Sequence, residues 1–116
     1  MRKFLFAAVL VFGIVFAQLP TVQAADVYVG TSPATGMDCY LMTETITKLW
    51  TTETGKGFNA RLKMVGRSVR YLDYELIIRY NRTCHFSNSQ GYSGEATSYD
   101  TPIEWNMCQY IARNYF

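Results

Sequence analysis

Two neighbouring stretches of the chain alternate apolar and polar residues with a period of two. Phe58, Ala60, Leu62 and Met64 alternate with Asn59, Arg61 and Lys63; after Gly66, Leu72, Tyr74, Leu76, Ile78 and Tyr80 alternate with Asp73, Glu75 and Arg79. Successive side chains on a strand point to opposite faces, so each stretch predicts a half-buried strand. A three-residue turn at Gly66-Arg67-Ser68 sets Leu62 against Leu72, Ala60 against Tyr74, Phe58 against Leu76 and Arg61 against Asp73. A two-residue turn would instead bring Asp73 and Glu75 onto the apolar face, so the odd-length turn is expected. A five-residue turn keeps the same faces and stays open as an alternative.

The flanking segments extend the pattern. Residues 27–29 predict a short strand and residues 30–36, GTSPATG, a loop. In residues 38–50, Tyr40, Met42, Ile46 and Trp50 share one parity and Thr43, Thr45 and Thr47 the other, which predicts a strand with the first set inward. Cys39 then falls on the threonine side. Cys84-His85-Phe86 reads as a last short strand. Thr101-Pro102-Ile103-Glu104 opens a helix: threonine caps, proline takes the first turn, and Glu104 reaches back in a capping box. Ile103, Met107, Tyr110 and Ile111 form its apolar arc, opposite Asn106, Gln109 and Arg113. Strands followed by one helix predict an α+β fold, an antiparallel β-meander of four to five strands with one C-terminal α-helix packed on one face.

The first 24 residues follow a different rule. Arg2 and Lys3 precede an apolar run from Phe4 to Ala17, and Val22-Gln23-Ala24 supplies small residues, the order of a secretory signal peptide. The run is short of the roughly 20 residues that span a bilayer. Cleavage is expected after Ala24, with Ala25 as the near alternative. This divides the chain into a signal peptide, 1–24, and one small α+β domain, 25–116, with a secreted or periplasmic destination and no membrane attachment after cleavage. The full chain carries 11 basic and 9 acidic residues, a formal charge of +2. Both surplus charges are Arg2 and Lys3, so the remaining domain is neutral, and without a Lys/Arg cluster it lacks the basis for binding nucleic acid.

Chemistry-bearing residues are sparse. Asp73 and Glu75 are the only closely spaced carboxylates on one strand face; acid/base work would require burial, and the plainer expectation is two solvated groups pairing with Arg61 and Lys63. His85 is the only histidine, with no nucleophile beside it, and is expected on a strand surface. No catalytic residue is assigned. Three scattered cysteines and one histidine lack metal-ligand spacing, so neither a metal nor a cofactor is expected. In an exported chain they allow one disulfide, for which Cys84 and Cys108 are the first choice because both should face the space between sheet and helix. Asn81-Arg82-Thr83 is formally a glycosylation sequon.

Residues 87–100, SNSQGYSGEATSYD, form the longest irregular stretch. Loops of that length in a small domain are often functional, and Tyr, Ser, Gly and Asn are the residues of adaptable binding loops. Asn88, Gln90, Tyr92 and Tyr99 are therefore candidate contacts, although a short strand at residues 95–99 would turn the loop into a hairpin. The segments CYLMTETI, FSNSQGYSG and TPIEW, with the leader and Gly30-Thr31-Ser32, resemble small exported bacterial proteins of uncharacterised function, especially from anaerobes. That resemblance implies export without an assigned activity, and an anaerobic source would weaken the argument for a disulfide. The functional expectation is a non-enzymatic binding module for a protein or glycan at the cell envelope. An inhibitor or partner of an extracellular enzyme is the alternative, and a small hydrolase using Asp73, Glu75 or His85 the third.

Overall fold

A computed structural model describes residues 26–116; the expected leader at 1–24 lies outside the described residues, as does Ala25. Six strands, β1 (Asp26–Thr31), β2 (Asp38–Thr51), β3 (Gly55–Val65), β4 (Val69–Arg79), β5 (Cys84–Asn88) and β6 (Ser93–Glu95), precede one helix, α1 (Pro102–Asn114). The strands pair in chain order as a single antiparallel sheet, curled into a half-barrel. The fold is thus α+β with six strands rather than four to five. The added strand is β6, inside the segment expected as a loop. Glycine at position 91 adopts φ +91° and lets the chain reverse after Asn88, so Ser87 pairs with Ser93, Phe86 with Gly94 and His85 with Glu95. Among the described residues, no helix is long and apolar enough to cross a membrane.

The β3–β4 hairpin keeps one register from Gly55↔Arg79 to Val65↔Val69, around the turn Gly66-Arg67-Ser68. Its alternation puts Phe58, Leu62 and Leu76 on the inner face, where they are almost wholly buried with Met107 and Ile111 of α1. Burying side chains of this size contributes about 1.5–3 kcal/mol each. The helix touches β1, β4 and β5. Cys84 and Cys108 form a disulfide that ties β5 to α1, with Cα atoms 6.5 Å apart and a sequence separation of 24. Closing a loop of that length stabilises a fold by about 3 kcal/mol.

Strand β2 departs from its expected parity. Cys39, Leu41 and Thr43 point into the core, while Tyr40 and Met42 are only partly buried. Between Met42 and Thr47 the ladder with β3 is interrupted, and within the interruption Ile46 packs against the core as expected; Trp50, past a second shift after Lys48, does not join the core but lies exposed against Gly57. A bulge inserts residues into one strand only, so the face of Ile46 does not carry back to Tyr40 and Met42, nor forward across the second shift to Trp50. Thr45 repairs the break: its hydroxyl accepts the Arg61 N–H at 2.8 Å and donates to the Met42 carbonyl at 2.6 Å.

The helix start also differs in detail. The Thr101 hydroxyl makes no cap bond within the helix; it accepts the Thr97 N–H at 2.8 Å. Glu104 does not complete a capping box either, because its carboxylate accepts the Tyr74 hydroxyl at 2.6 Å. On the expected solvent face, Asn106 donates to the Val29 carbonyl at 2.8 Å and so docks the helix on the edge strand β1.

Candidate functional site

The β5–β6 turn is braced on both sides by hydrogen bonds. Asn88 N–H donates to Tyr92 O at 2.9 Å, Gly91 N–H returns to Asn88 O at 3.0 Å, and the Asn88 side-chain oxygen accepts the Gln90 and Tyr92 N–H groups at 3.0 and 3.1 Å. Asparagine bonding its own downstream backbone in this way is the usual chemistry of such turns. Ser89 anchors the turn to β4: its N–H donates to Asp73 O at 2.9 Å and its hydroxyl accepts Asp73 N–H at 3.1 Å.

Thus braced, the turn closes one side of a cavity of about 350 Å³. Leu62 and Met64 of β3, Leu72 of β4 and Ile103 of α1 supply apolar wall; Tyr74, Asn88, Gln90 and Glu104 supply polar groups, and Tyr92 stands at the rim, 67% exposed. The β1–β2 loop contributes Ser32 and Thr35. Apolar walls with a few converging polar groups are the usual makeup of a ligand pocket.

Two ionisable groups in the wall stay neutral. Burial, reinforced by the hydrogen bond to Glu104, pushes the Tyr74 hydroxyl well above the ordinary phenol range, and the Asn88 side chain reaches the same hydroxyl. Burial likewise raises the Cys39 thiol, which donates weakly to Met37 O at 3.6 Å. A thiol held protonated is a poor nucleophile. The cavity therefore offers hydrogen-bond donors, acceptors and apolar contact.

Three of the four residues singled out in the sequence, Asn88, Gln90 and Tyr92, meet at this cavity. Tyr99 does not line it; it is 91% exposed on the segment leading to α1. Sequence reasoning missed Glu104, which it assigned to a capping box, and Tyr74, which it assigned to the core. The hairpin register already puts Tyr74 inward, but no local pattern says that the first turn of a helix 30 residues further on will land beside it.

The residues considered for hydrolysis lie on the outer face of the sheet. Asp73 is bound by Arg61 at 2.7 Å, and His85 pairs with Glu95 at 3.0 Å. Glu75 is exposed and faces Asn59, while Lys63, opposite Tyr71 in the register, pairs with Asp26 on β1 rather than with either carboxylate. Among the described residues, no three His, Cys, Asp or Glu side chains are grouped to hold a metal ion.

Compared with protein-family models, curated proteins and solved structures, the chain gives no significant match to any of the three.

Proposed function

We propose that the protein is a non-enzymatic binding module, exported to the periplasm or beyond, that receives a glycan of the cell envelope in the cavity beside the β5–β6 turn. The observation that supports this reading is the convergence of Asn88, Gln90 and Tyr92 with Tyr74 and Glu104 on one cavity of about 350 Å³. Planar amides and a carboxylate suit adjacent hydroxyls, which need donors and acceptors together. An exposed tyrosine at the rim adds rigid contact area at low entropic cost. Titration with soluble envelope-glycan fragments, followed by calorimetry, tests the reading. Tyr92→Ala and Gln90→Ala should each weaken binding about tenfold, as loss of a well-placed contact of about 1.4 kcal/mol does. Tyr99→Ala should leave it unchanged, and equal affinity in all three variants would sink the proposal.

A second reading has its own observation. The same turn is held by bonds from Asn88 and Ser89 on both sides, and a rigid, protruding turn is what an inhibitor presses into an enzyme cleft. Under that reading Tyr92→Ala abolishes capture of a secreted enzyme and no glycan binds.

A further inference from the structure

A second cavity, of about 290 Å³, lies between the β4–β5 turn and the C-terminal half of α1. Ile78, Ala112, Phe116 and the Cys84–Cys108 disulfide give it an apolar side; Arg79, Arg82 and Arg113 line it as well, and no carboxylate side chain does. This is a local excess of charge, since residues 26–116 carry equal numbers of acidic and basic side chains. Arg79 is engaged, donating to Thr83 and Glu95 at 3.1 Å each. Among the described residues, Arg82 and Arg113 take part in no ion pair.

The backbone supplies a separate observation. Arg82 sits in the left-handed region, φ 73°, in the tight turn where Arg79 N–H donates to Thr83 O. Glycine or asparagine adopts that conformation more cheaply, by about 1 kcal/mol. A long cation is held there nonetheless, at the edge of the cavity.

We propose that this cavity binds a small organic oxyanion, an apolar body carrying a phosphate, sulfate or carboxylate group. The guanidinium groups of Arg82 and Arg113 hold the anionic head, because their fixed fork of donors matches planar or tetrahedral oxyanions. Ile78, Phe116 and the disulfide take the body. The last turn of α1 opposes an anion through its carbonyls, and the two guanidinium groups must outweigh it; two carbonyls at this end already have partners. Ile111 O accepts the Tyr115 N–H at 2.8 Å and Tyr110 O accepts the Asn114 side chain at 2.8 Å. The Phe116 carbonyl is held by the Lys56 ammonium. The inference does not rest on the glycan reading, which uses other residues.

Phenyl phosphate is the probe, followed by amide chemical shifts, with inorganic phosphate and phenol as separate arms. Saturable shifts should centre on Thr83, Gln109 and Ala112, with inorganic phosphate weaker and phenol inert. The double variant Arg82→Gln/Arg113→Gln should raise the dissociation constant at least about tenfold, the size of a lost charge-assisted bond. Its unliganded melting temperature should stay within a degree or so of the parent's, since neither side chain has an ion pair to lose; the single Arg113→Gln variant serves if the double one melts early. Phenol binding as tightly as phenyl phosphate would reduce the site to an apolar hole and overturn the proposal. So would an unchanged affinity in the arginine variants, or inorganic phosphate binding as tightly as its phenyl ester.

Discussion

From Gly55↔Arg79 to Val65↔Val69 the β3–β4 ladder runs without interruption, whereas on its other side β3 meets β2 in a ladder broken between Met42 and Thr47 and again between Lys48 and Trp50. The two pairings share one strand and bury the same core, so the contrast isolates what alternation alone can do. In β4, a residue's parity settles its face over the whole strand. In β2 it holds only within each segment, because five steps from Met42 to Thr47 match two steps from Arg61 to Asn59. An odd surplus of residues inverts the faces, and here the inversion serves the core: Cys39, Leu41 and Thr43 are buried at odd positions, and Ile46, three residues on at an even one, packs against the core as well.

The sharpest way to break this comparison is to remove one residue from each strand. Deleting Asn59 from the middle of β3 forces either Phe58 or the pair Ala60 and Leu62 out of the core. The loss exceeds about 4 kcal/mol, a large share of the 5–15 kcal/mol typical of a domain, and the variant should show no cooperative unfolding transition. Deleting Glu44 from β2 removes one surplus residue and restores plain alternation, so that Met42 and Thr47 still face outward and Ile46 inward. That variant should fold and lose no more than about 2 kcal/mol in urea denaturation, mostly through the displaced Thr45. Comparable losses in the two variants would mean that the interruption in β2 is not a parity switch.

This contrast also explains what could be read from the sequence. The faces of the hairpin were legible because eleven successive pairs obey one rule and a one-residue slip would bury Asp73 and Glu75, whereas a two-residue shift keeps the faces, so alternation alone leaves the three- and five-residue turns both open. The orientation of Tyr40 and Met42 was not, since a bulge in a threonine-rich run leaves no mark in composition. The β5–β6 turn lies between these cases: the segment reads as a loop, with a hairpin only as the alternative, because Asn and Gly mark both equally. The candidate site was legible only on its loop side. Its Tyr74 and Glu104 partners meet through the docking of helix on sheet, a contact between elements 30 residues apart that no local period encodes.

A smaller effect sharpens the comparison at the break itself. Thr45→Val keeps the shape of the side chain but removes the acceptor for Arg61 N–H and the donor to Met42 O. About 1 kcal/mol should be lost in urea denaturation, the usual net worth of an intramolecular hydrogen bond. Thr47→Val is the control: its hydroxyl makes one long, exposed bond of 3.3 Å to Thr45 O and should cost little. Equal costs at the two positions would show that Thr45 does not stand in for the missing ladder bond.

The smallest effect concerns charge across the regular strands. The Arg61 guanidinium beside Asp73 holds its carboxyl below the usual range. Glu95 is also lowered: burial pushes it up, but hydrogen bonds from His85 and Arg79 outweigh that push. A carboxyl whose folded pKa lies below its unfolded value of about 4 contributes stability that is fully present above that value and is lost as pH falls through the folded pKa. Acidification from pH 5 towards pH 2 should therefore weaken the fold, and Asp73→Asn should flatten part of that slope. Because Asp73 and Arg61 are both well exposed, the variant should cost only a few tenths of a kcal/mol at pH 7, and less at high salt. Urea denaturation at pH 7 and pH 3, with and without salt, measures both. If Asp73→Asn cost as much as Thr45→Val, the register of β3 and β4 would owe as much to the ion pair as to the buried alternation of Phe58, Leu62 and Leu76, and the contrast with β2 would have to be redrawn in terms of charge.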